Sequence, residues 1–372
     1  MQKLMDNKVL EKLSLDFKEQ AKTTLNSLDS NLHKKVINKE KLSIDEQLTY
    51  MKAKGINFNR VCEQEAKVFL AENSYYYKIT AYRRNFLKDT NGSYIDLDFA
   101  NLKDLSIIDM HLRYLVLKLS LDIEHSLKTL VINLITDDPG EDGYKIIEDY
   151  NDHEFERFKK SGKELNEYKH IRDKILIEVR NKRDYNYDFY IKSKDKISIW
   201  KLIEIMTYGH LSSFIQFYVD TNRHKSKQLK KAAQFTPFSK NIRDSAAHSR
   251  PILLNVTEEN QFKIVDKFSK QKRSKQNSAK ASLELKNYII DKGLDKKVAA
   301  RVLTNFKVHD LCALLLLHDS YIRGKYMRKS RKNELIKIYR RALYKKSLYK
   351  DERFNDVLML FYKIIKRYKI NC

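Results

Sequence analysis

The residues best suited to chemistry are Arg243, Asp244 and His248, set within one short stretch of chain. Arginine is always charged and can grip two phosphate oxygens at once. Histidine exchanges protons near neutral pH. Together they suit cleavage of RNA by its own 2′-OH, which needs a base for that proton, an acid for the 5′-oxygen and cations for the phosphorane charge. Asp244 is placed to orient a side chain or to hydrogen-bond across a dimer. The spacing alone is a weak signal: with 10 His in 372 residues, chance supplies about one or two Arg-to-His pairs at comparable separations. By itself it favours an Arg paired with a carboxylate beside a partly buried His. In a regular helix positions i and i+5 also stand about 140° apart. Arg243 and His248 then share a face only if the helix is distorted or the long Arg curls round, unless Arg243 serves a twofold-related site. A single His cannot comfortably be base and acid in one concerted step, which is an independent reason to expect a homodimer.

Composition removes much of the competing chemistry. Only 8 Gly and 3 Pro are present, too few for an all-β chain of tight hairpins. Neither a dinucleotide-binding nor a P-loop glycine pattern occurs. The three cysteines, Cys62, Cys312 and Cys372, are widely spaced and odd in number, which suits a reducing cytosol rather than a disulfide framework. No H-E-x-x-H and no His/Cys cluster is found, so neither metal nor cofactor is expected. The start of the chain has no apolar leader. The densest apolar run, Leu311 to Leu317, falls far short of the about 20 residues a membrane span needs, so a cytoplasmic protein is expected.

Charge points to a polyanion. The chain carries 74 Lys or Arg against 49 Asp or Glu, a net of +25. Residues 256–372 hold 30 of the basic and 12 of the acidic residues, a net of +18. A surface for nucleic acid is expected there, with Lys272, Arg273, Lys275, Arg328, Lys329 and Arg331 as contacts. The alternative is a solvated Lys-rich face; an anionic membrane fits less well, because the basic residues are interleaved with core-type apolar ones.

The elements that must position these residues read as helices. Leu105, Ile108, Leu112, Leu115, Leu119, Ile123, Leu127, Leu130 and Leu134 recur every three or four residues, predicting one long helix over 105–135. On it, Glu124 and Lys128 are spaced for an i,i+4 ion pair or for a polar contact behind the Arg/His cleft. A middle helix is expected near 164–181 and a second strong amphipathic segment over 197–219, which carries His210. Thr236-Pro237 reads as an N-cap followed by Pro at the first helical position, opening the helix that bears Arg243. The division expected is an N-terminal arm over 1–50, a helical core over 51–255 and a basic helical region over 256–372, a separate domain or the completion of the bundle.

Four blocks then resemble the abortive-infection (Abi-like) phage-resistance family. They are Asn73 to Tyr82, with Tyr75, Tyr76 and Lys78; Ile108-Asp109-Met110-His111-Leu112-Arg113 with Ile123-Glu124; Ile199-Trp200 through Gly209-His210-Leu211-Ser212; and Arg243-Asp244 through His248, Arg250 and Asn255. They occur in the family's order across roughly 50–255. Lys78, Ala81, Asp244 and Pro251 depart from its usual Arg, Gly, Asn and Leu. The resemblance implies an all-α HEPN-like bundle, the higher-eukaryote and prokaryote nucleotide-binding fold. It implies a metal-independent endoribonuclease toxin of phage defence, dimeric, with catalytic Arg243, Asp244 and His248. Expected RNA contacts also include Lys78, Arg83, Arg84 and Arg250, with Glu124, Lys128, His210 and Asn255 supporting. Tyr75, Tyr76 and Tyr82 are candidates to stack bases. RNA is the expected partner, as substrate and as a structured regulatory RNA on the +18 extension. The alternative is a non-catalytic RNA-binding module of the same defence system; a protein-interaction adaptor is a third reading.

Overall fold

A computed structural model describes residues 28–193, 196–257 and 275–370. Their regular structure is sixteen α-helices, five short 3-10 helices and one two-residue parallel strand pair, an all-α fold. In chain order the helices are α1 (Ser30–Ile37), α2 (Ile44–Ala53), α3 (Glu63–Glu72), α4 (Tyr76–Ala81), α5 (Phe99–Thr136), α6 (Lys145–Lys159), α7 (Ile171–Leu176) and α8 (Tyr187–Ser193). There follow α9 (Ile199–Ile205), α10 (Tyr208–Asp220), α11 (Lys230–Ala247), α12 (Lys275–Asp291), α13 (Lys296–Val302), α14 (Phe306–Tyr321), α15 (Lys325–Tyr344) and α16 (Glu352–Lys366). Strands β1 (Ile56–Asn57) and β2 (Leu97–Asp98) pair with Ile56 opposite Leu97.

Local chemistry sets the helix starts. Ser43 and Glu46 form a reciprocal capping box on α2, with N–H to side-chain distances of 3.2 and 2.7 Å. Asp98 accepts the Ala100 N–H at 2.8 Å. That cap starts α5 at Phe99, earlier than its leucine repeat suggests. At 38 residues this helix is about 57 Å long, and its apolar repeat is buried from Leu102 to Leu127 and again at Leu134, with Leu130 half-buried.

The described residues divide into two compact units that cut across the sequence division. One gathers those of Met1–Leu112, Ser249–Glu259 and Lys337–Leu358; the other, those of Arg113–His248, Asn260–Ile336 and Met359–Cys372. In the second unit α11 packs on α10 and α14. Asn241 reaches Asp310 at 3.3 Å, and the rings of Phe238 and His309 meet edge to face at 4.7 Å. Helix α14, from the C-terminal region, therefore packs against the Arg/His helix within this unit.

Three sequence expectations are corrected. Pro237 does not open α11, which starts at Lys230 and keeps Pro237 inside. Ala232, Ala233, Phe235 and Phe238 are all buried, and their burial outweighs the hydrogen bond that proline forfeits. Thr236 is not a cap either; its hydroxyl pairs with Ser212 at 2.7 Å. The segment over 197–219 is two helices, because Met206 is extended and Thr207 restarts the chain by accepting the His210 N–H at 3.3 Å. The helix expected near 164–181 shrinks to Ile171–Leu176, and the longer element of that region is α6.

Candidate functional site

Helix α11 carries the motif and ends within it. Ala247 is its last residue and His248 is the C-cap, with φ −87° and ψ 16°. The His248 N–H donates to the Asp244 carbonyl at 3.0 Å. Lys240, Asp244 and His248 thus follow one another at four-residue steps, which places them in a row along one helix face. Arg243 lies off that row, but its guanidinium donates to Asp244 Oδ1 at 3.1 Å. Asp244 also takes the Lys240 ammonium. The carboxylate therefore draws both cations to the row that His248, which is exposed, terminates. Burial opposes the Asp244 charge, yet the bonds from Lys240 and Arg243 outweigh it and hold the carboxyl below its usual range.

Helix α10 fixes where α11 lies. The Tyr208 hydroxyl pairs with Ser239 at 2.6 Å and Ser212 with Thr236 at 2.7 Å, all four buried. Gly209, between them, lets Lys240 cross: a Cβ there would stand 2.8 Å from Lys240 Cε. Burial first, then the Glu124 charge, pushes the Tyr208 phenol up, while Ser239 and Arg243 oppose it. Tyr208 thus lies within electrostatic range of both the α5 carboxylate and the motif arginine. Glu124 and Lys128 pair at 3.2 Å, and Lys128 also caps α9 by donating to the Glu204 carbonyl at 2.9 Å. His210 supplies backbone contacts, its carbonyl facing the Tyr150 hydroxyl at 3.5 Å. Lys240, Tyr208 and Ser239 were not legible as site residues from spacing; the Tyr208-Gly209 block was the available signal.

The other unit explains two more sequence blocks as structure. Asp109, fully buried, accepts from the Tyr82 hydroxyl at 2.9 Å and from the Ile252 and Leu253 amides at 2.7 and 2.6 Å. Asn85 donates to the Leu253 carbonyl at 2.7 Å and accepts the Val256 amide at 2.8 Å. Tyr82 is therefore a core clamp and not a base-stacking surface, whereas Tyr75 is exposed and Tyr76 half-buried. Arg84 and Arg250 are exposed; Lys78, Arg83 and Asn255 are half-buried, and Asn255 has a φ of 57°.

Two expected RNA contacts are corrected. Arg328 is fully buried, and its guanidinium is spent on Asp319 and on the Asp319, Ile322 and Lys369 carbonyls. Arg331 is committed to Asp122, at 2.6 and 3.1 Å, and to Glu334 at 2.7 Å. Lys329 is exposed. Lys272 and Arg273 lie outside the described residues, and only the backbone of Lys275 lies within them. Among the described residues no group of three His, Cys, Asp or Glu could hold a metal ion, and no helix is long and apolar enough to cross a membrane.

No curated protein and no solved structure was found to match the chain. Residues 69–255, just over half of the sequence and including all four blocks, match the family described as Abi-like protein, and the chain belongs to that family.

Proposed function

We propose that this protein is an RNA-cleaving toxin of abortive-infection phage defence, a metal-independent endoribonuclease. Membership of the Abi-like family suggests the defence role. The observation that carries the activity is the row on α11, where Asp244 gathers Lys240 and Arg243 beside the exposed His248 at the open helix end. A phosphodiester laid along that row meets two cations, which stabilise the charge of a phosphorane. His248 takes the 2′-OH proton from one side; the second proton transfer, to the 5′-oxygen, falls to His248 of a second copy. Asp244 positions the cations and touches no reacting atom. The products carry 2′,3′-cyclic phosphate and 5′-hydroxyl ends. A structured regulatory RNA on the basic C-terminal region would restrain the toxin.

One observation favours a second reading. The Arg243–Asp244 pair at 3.1 Å also suits a site that holds RNA without cutting it. Nucleic-acid-free protein incubated with RNA in excess EDTA separates the two: the nuclease reading requires cleavage that His248→Ala abolishes while RNA binding persists. Binding without cleavage by either chain supports the second.

A further inference from the structure

Away from the motif helix, three cations converge in the unit that contains α2 and α4. Lys54 caps α2, and its carbonyl accepts the Tyr94 N–H at 2.9 Å. Tyr94 in turn faces Lys88 across an antiparallel bridge. The Lys54 ammonium lies 5.3 Å from the Tyr50 ring centre and that of Lys88 5.1 Å from the Tyr94 ring centre. The Arg83 charge acts on the phenols of Tyr76 and Tyr94, opposing the upward push of burial on both. Gly55 permits this approach: its φ is +79° and a Cβ would stand 2.9 Å from the Tyr94 N and O.

No acidic side chain among the described residues is paired with Lys54, Arg83 or Lys88. Like charges held together on an aromatic scaffold repel, and an anion relieves that repulsion. The cost is visible in Lys54, pushed down to about 8 by burial and then by the charges of Lys88 and Arg83. Burial keeps the phenols of Tyr50, Tyr76 and Tyr94 protonated, so they can donate to an oxyanion as the cations do. Lys35, Lys52, Lys67 and Lys103 of the same unit, by contrast, have carboxylate partners.

We propose that Lys54, Arg83 and Lys88 form a phosphate-binding site, in which the three cations hold one phosphate group and the flanking tyrosines its attached nucleoside. It deepens the RNA reading and rests on it only for the source of the phosphate, the RNA backbone; a free phosphate would meet the same chemistry.

The test uses the full chain carrying His248→Ala, so that no probe is cleaved. Inorganic phosphate and a single-stranded oligoribonucleotide are titrated against it, and against the same chain with Lys54→Gln or Arg83→Gln added. Each added substitution is expected to weaken both probes by about tenfold or more, and Lys54→Arg to restore them. Amide exchange at the Lys54–Tyr94 contact, unchanged in the variants, shows that the scaffold is kept. Phosphate binding that Lys54→Gln removes, without any oligoribonucleotide binding by the parent, upholds the site and makes its ligand a free phosphate while the RNA reading fails. Oligoribonucleotide binding that neither substitution alters overturns the site and leaves the RNA reading standing. Failure of the parent to bind either probe overturns the site.

Discussion

Replacing Asp109 by Ala removes the hub of the first unit. The buried carboxylate receives the Tyr82 hydroxyl at 2.9 Å and the Ile252 and Leu253 amides at 2.7 and 2.6 Å. A hydrogen bond to a charged group contributes about 1.5–3 kcal/mol, and a buried donor left without a partner costs about 1–3 kcal/mol. Three such losses at one site, discounted for relaxation and for water entering the gap, give about 4–6 kcal/mol, a large part of the about 5–15 kcal/mol that holds a typical domain. Asp109→Asn is milder. Its oxygen keeps both amides and its NH₂ can donate to the Tyr82 oxygen, but the Tyr82 hydroxyl proton loses its acceptor along with the charge, about 2–3 kcal/mol. Amide hydrogen exchange by mass spectrometry or NMR reads the site locally, which avoids assuming that both units unfold together. Protection at Ile252 and Leu253 should fall by about a hundredfold or more in the Ala variant and by much less in Asn. Urea unfolding should rank the three chains in the same order. Unchanged protection at those amides in Asp109→Ala, with stability within about 1 kcal/mol of the parent, would refute the clamp.

Gly209→Ala puts a Cβ 2.8 Å from Lys240 Cε; the flexible lysine yields, so thermal stability should hold within a few degrees while RNA cleavage falls several-fold as Lys240 leaves Asp244. Equal cleavage would show that the Lys240 contact is idle. His318 is buried between Asp122 and Tyr368, and burial lowers it below its ordinary 6.5 against the opposing pull of Asp122. The unfolded chain then binds the extra proton first, so His318 leaves stability intact above pH 6.5 and erodes it as pH falls from there through the lowered value. Urea midpoints across that window should fall with pH in the parent and more shallowly in His318→Gln. Lys54, at about 8, should make phosphate affinity fall as pH rises through that value. Of the other groups facing it, Lys88 is lowered from 10.5 and Tyr50, Tyr76 and Tyr94 are raised from 10.0, so the first loss belongs to Lys54. A titration monitored by fluorescence should show it, and a flat profile would contradict it.

The fold class was legible because its signal is periodic. The leucines of α5 repeat without Gly or Pro, and their burial follows the repeat from Leu105 to Leu127. What the sequence hid was decided by tertiary packing. Pro237 looks like a helix start because propensity is local, whereas buried Ala232, Ala233 and Phe235 extend α11 seven residues ahead of it. Arg328 and Lys329 read alike in a basic run, yet one is fully buried among carbonyls and the other is exposed; charge counts cannot separate them. The clash expected between Arg243 and His248 on a regular helix was sound geometry, but the guanidinium crosses over because Asp244 attracts it. The sequence blocks were visible, but not their purpose: Tyr82, Asp109 and the chain after Pro251 are one hydrogen-bonded clamp, and Tyr208, Gly209 and Ser212 are the seat of the motif helix.

The most direct measurement is RNA cleavage in excess EDTA by the nucleic-acid-free full chain beside His248→Ala. The account predicts fragments with 2′,3′-cyclic phosphate ends from the parent, and from the variant none, with its oligoribonucleotide binding intact. Equal cleavage by both chains, or cleavage by the parent that EDTA abolishes, would contradict it.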